Sequence, residues 1–285
     1  MKIISALYVS HYCTERGGSF YKSDWLLSRT LKEIIFPEYE YIIYTDKESR
    51  EFPHYDFSFY NKPNIQLIDY DINNSNLLEK FETLRQKHIS TGDIFGDRIV
   101  CIDRYAHIVH NKKNFILNSI VDDEEFYVWI DAGLFGTSCA NEWRDKMVEL
   151  CHTKNFVEKV IEKAQQHEAF FITGPKEMIS YEITQEYAKL FPGDFEGFSV
   201  SGAMFGGKGK VLKEILADYE YYFSHYLDQE RLISEQDVFI GIIEKHKDKV
   251  YRYKYDHWGD LQKVFLKMLD VYDEEKYQSD KLYEI

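Results

Sequence analysis

The stretch Phe126-Tyr-Val-Trp-Ile-Asp-Ala-Gly133 sets five large apolar residues in a row and closes them with an acid and two small residues. Apolar side chains at consecutive positions face both sides of a strand, which predicts a strand covered on both faces, as in a parallel sheet between helices. Ligands of such sheets gather beyond the carboxyl ends of the strands, so Asp131 is aimed at a crevice. Ala132 and Gly133 are small enough to let a diphosphate or a metal come against the backbone. The plainer reading is an ordinary turn acid after a strand.

Working outward, residues 3–9 form a short apolar run, and 21–35 carry helical spacing up to Pro37. Tyr41-Ile-Ile-Tyr44 closes on Thr45-Asp46, and Ile65-Gln-Leu-Ile68 closes on Asp69. Two helices follow, over 76–90 and from 102 to 116; Arg104, His107 and Asn111 share one face of the second. Beyond the central strand come a long or broken helix over 141–166, a strand at 169–173 and a glycine-rich strand at 198–207. Helices over 210–226 and 235–247, a strand at 250–253 and a helix from about 261 complete the pattern. Strands alternating with helices predict an α/β fold with a mostly parallel sheet wrapped by helices. The chain has 285 residues, enough for one domain, read as two halves, 1–133 and 134–285.

Composition narrows the function. With 35 Lys and Arg against 49 Asp and Glu the formal net charge is -14, which disfavours a nucleic acid partner. Cys13, Cys101, Cys139 and Cys151 show no CxxC spacing and are expected to be reduced thiols. The first nine residues read as a strand, not a signal peptide, and no window has the roughly 18 apolar residues of a membrane span. A cytoplasmic protein, at most transiently at the inner face of the membrane, is the expectation.

Ser201-Gly-Ala-Met-Phe-Gly-Gly207 holds three glycines but lacks the Gly-Lys-Ser/Thr of a phosphate loop, since Lys208 stands at the wrong spacing. It reads as a strand where backbone or ligand approaches closely, or as a structural bulge. Ser234 and Asp237 have the spacing of a helix cap, which leaves Glu235 or Gln236 to face the cleft. The tyrosines at 221–222 and 251–255 suit either sugar stacking or core packing.

The strand 126–133, the glycine-rich 201–207, Ser234-Glu-Gln-Asp237 and Asp256-His-Trp-Gly259, in that order over most of the chain, resemble the HtrL/YibB (WlaTC-like) bacterial glycosyltransferases. The resemblance implies a GT-A-like fold with a Rossmann-like nucleotide-binding half, and transfer of a sugar from a nucleoside diphosphate to a glycan or lipid-linked glycan acceptor in surface polysaccharide or lipooligosaccharide assembly. It implies a divalent metal, Mn2+ or Mg2+, at a DxD motif. Here Gly133 stands at the third position, so Asp131 is the lone acid, with His257 a second ligand. It further implies a base or ribose contact at Asp46, phosphate-binding cations at Arg98 and Arg104, and a donor site completed by Tyr8, Trp129, Gly133, Ser201, Gly202 and Lys208. The catalytic set implied is Asp131 with Glu235, Gln236 and Asp237, from which an inverting enzyme would draw its base. A sugar nucleotidyltransferase and a catalytically inactive glycan-binding protein are the competing readings.

Overall fold

The computed structural model describes residues 1–8, 31, 35–52, 55–73, 76–91, 105–132, 153–174, 185, 189–191, 200–254, 264–265 and 268–269. Four strands run parallel: β1 (Lys2–Ala6), β2 (Glu40–Thr45), β3 (Ile65–Asp69) and β4 (Phe126–Ile130). β5 (Ala169–Thr173) and β7 (Val250–Tyr253) are parallel to each other, and β6 (Val200–Lys208) runs antiparallel between β4 and β5. Together they make one sheet in the order β3-β2-β1-β4-β6-β5-β7. Strands from both halves of the chain thus share a single sheet.

The α-helices among the described residues are α1 (Lys47–Arg50), α2 (Asn76–Thr91), α3 (Tyr105–His110), α4 (Lys112–Ser119), α5 (Lys154–Ala164), α6 (Gly209–Leu216), α7 (Tyr219–Asp228) and α8 (Glu235–Lys245), with a 3-10 turn at Phe57–Tyr60. Alternation along the strands assigns them to two cores. Ile4, Ile42, Tyr44, Tyr127, Trp129, Phe171 and Phe205 face α2, α3, α4, α6, α7 and α8. Ile3, Tyr41, Ile43, Val128, Ile130, Phe170 and Met204 face α5 and the side chains of Val264, Phe265 and Met268. All five residues of β4 are buried, as a strand covered on both faces requires. This is the α/β architecture with a mostly parallel, helix-flanked sheet that the pattern predicts.

Two expected helices are each broken in two. The one over 102–116 divides at Asn111, whose Nδ2 donates to His107 O and to Ile72 O, both at 2.8 Å. A side chain that bonds the backbone this way offers an alternative to the helical ladder. The one over 210–226 divides at Ala217 and Asp218.

β6 explains its glycines by close approach. A Cβ on Gly206 would stand 2.4 Å from the Tyr127 carbonyl oxygen and 3.1 Å from the Phe170 ring. Further along, the register between β5 and β6 jumps from Phe171↔Phe205 to Ile172↔Ser201, so β6 bulges away from β5 at Gly202, Ala203 and Met204. The bulge lies where β6 passes the carboxyl end of β4, since Ile130 pairs with Met204 and Asp131 N donates to Ala203 O at 2.8 Å.

Candidate active site

From β1 the chain moves to β2 and β3 on one side, while β4 lies on the other. The strand order therefore reverses between β1 and β4, and the crevice beyond their carboxyl ends is where an open α/β sheet receives its ligand. Asp131 is the first residue past β4 at that point, with its side chain 32% exposed.

Asp131 is held from behind. Two residues along a strand share a face, and Trp129 Nε1 donates to Asp131 Oδ1 at 2.7 Å. The Trp129 ring is itself fixed by stacking on Phe115, with centroids 5.7 Å apart. Trp129 therefore serves the site by aiming Asp131 from within the core.

The second support is Lys112, the first residue of α4, whose side chain is only 4% exposed. Its Nζ lies 3.0 Å from Asp131 Oδ1 and 3.2 Å from Oδ2, and it donates to Glu235 Oε1 at 2.9 Å and to Gly202 O at 3.1 Å. Burial works to lower its pKa, but Asp131 and Glu235 outweigh that and hold the ammonium charged well above the usual lysine range. At Asp131 the enclosing protein raises the carboxyl pKa against the pull of Lys112, and Glu235 raises it further. The cluster is two acids and one cation, with a net charge of one negative.

Each element contributes for a reason. The bulge in β6 points the Gly202 carbonyl at Lys112 instead of into the ladder. A Cβ at Gly202 would lie 2.8 Å from Glu235 Oε1 and 3.4 Å from Lys112 Nζ, so glycine lets the acid and the ammonium close on the strand. Glu235 opens α8, which is capped by a reciprocal pair: Ser234 N donates to Asp237 Oδ2 at 3.0 Å, and Asp237 N donates to Ser234 Oγ at 3.4 Å. Asp237 is thus engaged in the cap, Glu235 in the ion cluster, and Gln236 is half-buried beside them.

Other expected site residues fall elsewhere along the same edge or off it. Tyr8 follows β1; its ring stacks on Phe115 and its hydroxyl donates to Tyr70 O at 3.1 Å, while burial pushes its pKa upward. Asp46 follows β2 and caps α1, accepting from Ser49 N at 2.6 Å. It also lines a depression of about 360 Å³ with Asp69, Tyr70, Asp71 and Asn73 at the carboxyl ends of β2 and β3. Ser201 is fully buried in β6. Lys208 sits at the far end of β6, paired with Phe126 at the start of β4, and its ammonium is 3.8 Å from Glu124. That places it at the opposite edge of the sheet from Asp131. Arg98, Arg104, Gly133 and His257 lie outside the described residues, as do the four cysteines.

Lys112 was not among the expected site residues. Asn111-Lys-Lys-Asn114 reads as a solvated run, yet Asn111, Lys112 and Lys113 are all buried. The available signal was the position of this polar run between the apolar Tyr105–His110 and Phe115-Ile116, where a helix packs over the strand it precedes. As for a metal, no three His, Cys, Asp or Glu side chains converge on one point among the described residues. Asp131 and Glu235 converge on Lys112, so this part of the site does not fit a divalent ion.

No protein-family model matches the chain, and no curated protein matches it. Among solved structures it is similar to the galactosyltransferase LgtC in complex with donor and acceptor sugar analogues, at 10% identity and a TM-score of 0.45, over 88% of this chain and 73% of that one. It is similar to core-mannan synthase A from Aspergillus fumigatus in its Mn/GDP form, at 11% identity and a TM-score of 0.49, over 88% and 72%. It is also similar to 4-diphosphocytidyl-2C-methyl-D-erythritol synthase from Anaerococcus prevotii, at 12% identity and a TM-score of 0.38, over 94% and 95%.

Proposed function

We propose that the chain is a glycosyltransferase of the GT-A kind, related to the HtrL/YibB group, that moves a sugar from a nucleoside diphosphate donor to a glycan acceptor. The observation that carries this reading is the placement of Asp131. It is a partly exposed carboxylate at the strand-order reversal, aimed by Trp129 and Lys112 and linked through Lys112 to Glu235 on a second helix.

A carboxylate with its inner side bonded accepts hydrogen bonds on its outer side. In the proposed complex Asp131 accepts from a hydroxyl of the donor's sugar. The depression beside Asp46 takes the nucleoside, with acids that accept from ribose hydroxyls and base N–H groups. Only β1 separates β2 from β4, so the two places are about 10 Å apart, a span suited to a nucleoside diphosphate sugar. The cluster carries net negative charge, so the diphosphate is assigned to cations outside it, Arg98 and Arg104. Asp131, with its raised pKa, is the better candidate for the acceptor proton. Gln236 is an amide, Glu235 is enclosed with its side chain 5% exposed, and Asp237 closes the helix cap, whereas Asp131 is partly exposed. Assembly of surface polysaccharide or lipooligosaccharide at the inner face of the membrane is the setting this reading assigns. No described helix is long and apolar enough to cross a membrane.

The test is a thermal-shift panel of nucleoside diphosphates followed by sugar transfer from the preferred nucleotide sugar. A nucleoside diphosphate that raises the melting midpoint of the wild type, with a further rise from its sugar conjugate that Asp131→Asn loses, supports the reading. Glycan binding with no nucleotide affinity, or release of pyrophosphate from a nucleoside triphosphate and a sugar phosphate, would overturn it.

A further inference from the structure

We infer that Lys112 is a built-in cation: its ammonium stands where a divalent ion would have to sit between Asp131, Glu235 and the Gly202 carbonyl, so that this cluster takes no metal. Two carboxylates and a carbonyl are the oxygen shell of a hard cation. Here the contacts are 2.9 Å to Glu235, 3.0 Å to Asp131 and 3.1 Å to Gly202, the lengths of N–H···O bonds. Metal–oxygen contacts to Mg2+ or Ca2+ are shorter, roughly 2.0–2.6 Å.

An ammonium has three N–H donors, and Asp131, Glu235 and Gly202 supply three acceptors for them. A divalent ion entering between the same acids would meet the ammonium at about 3 Å, where like charges repel strongly in a buried setting. It could bind there only by expelling Lys112 from its place, and the side chain is only 4% exposed. The bulge in β6 and the absence of a Cβ at Gly202 fit this one arrangement: both bring oxygen acceptors onto the lysine nitrogen. The inference concerns the site of the glycosyltransferase reading and rests on that reading for its bearing on the donor. Its test contains no nucleotide or sugar, so the two can fail separately.

The experiment measures melting midpoints with and without MnCl2. In the wild type and in Asp131→Asn, Mn2+ is expected to shift the midpoint equally. Lys112→Ala opens the cation position; it is expected to melt below the wild type and to be raised several degrees by Mn2+, a gain lost when Glu235→Gln is added. A wild-type Mn2+ shift that Asp131→Asn abolishes overturns the inference, as does a Lys112→Ala protein that gains no more from Mn2+ than the wild type. Should Lys112→Ala fail to fold, titration of wild type and Asp131→Asn with Mn2+ followed by electron paramagnetic resonance decides alone. Equal numbers of bound ions support the built-in cation, and one fewer in Asp131→Asn refutes it.

Discussion

Replacing Lys112 by methionine keeps the unbranched stem and removes only the charge, so it isolates what the ammonium contributes. The wild-type lysine pairs with both Asp131 and Glu235, at 3.0 and 2.9 Å, and bonds the Gly202 carbonyl. Removing one partner of a buried ion cluster costs about 3–5 kcal/mol; here Glu235 is left enclosed while water partly compensates Asp131, 32% exposed, so the lower end, about 3 kcal/mol, is expected. For a chain of this size that lowers the melting midpoint by on the order of 10 °C. The loss depends on pH in a definite direction. The enclosing protein already raises Asp131 above the ordinary aspartate range against the pull of Lys112, and without the lysine it rises further. The folded variant then holds a proton that the unfolded chain releases. Such a group adds stability below its unfolded pKa and loses that contribution as pH rises through the folded one. The gap between variant and wild type should therefore be widest near pH 8 and narrow toward pH 5, by up to about 1.4 kcal/mol per pH unit for each extra proton held. Urea unfolding followed by circular dichroism at the two pH values measures it. Replacing all three charges, in Lys112→Met with Asp131→Asn and Glu235→Gln, should recover much of the loss. Equal stability of Lys112→Met and wild type at pH 8, or a gap that widens in acid, would refute the reasoning.

His110 is fully enclosed, with Nε2 3.0 Å from the Ile233 carbonyl and Nδ1 2.7 Å from the Tyr219 hydroxyl. The carbonyl only accepts, so Nε2 carries the proton, Tyr219 donates to Nδ1, and the ring is neutral. Burial pushes its pKa down to about 3. The unfolded chain therefore binds the extra proton first, and stability present above about pH 6.5 should fall as pH falls toward 3, by up to about 1.4 kcal/mol per unit; urea midpoints across that window should flatten in His110→Gln. Gly206→Ala drives a methyl group to 2.4 Å from the Tyr127 carbonyl and should lower stability by about 1–3 kcal/mol or more, read as a fall in the urea midpoint. Ser234→Ala removes the cap that receives Asp237 N and should cost about 1 kcal/mol in the same assay.

The parts of the fold that could be read in the sequence were those set by local pattern. β4 declared itself because all five of its residues are apolar, and the cap of α8 because Ser234 and Asp237 stand at the capping distance. The break at Asn111 was hidden because it depends on the Ile72 carbonyl, 39 positions away, as well as on His107. Position at a strand end marked Asp131, and the structure sets it at the reversal of strand order. Lys112 was hidden because a lysine next to a lysine has the composition of a surface. What buries it is a pair of acids 19 and 123 residues away, brought together by the sheet and by α8. Lys208 shows the converse: it follows the glycine-rich run directly, yet β6 carries it to the far edge of the sheet.

The central claim is that Asp131, held by Lys112 and Trp129, marks a nucleotide-sugar site. Its most direct measurement is the melting midpoint of wild type and Asp131→Asn against sugar conjugates of UDP, GDP, CDP, ADP and TDP. One of these nucleotide sugars should raise the wild-type midpoint, and the rise should be largely lost in Asp131→Asn while the variant stays folded. No shift with any of the five, or an equal shift in both proteins, would contradict the account.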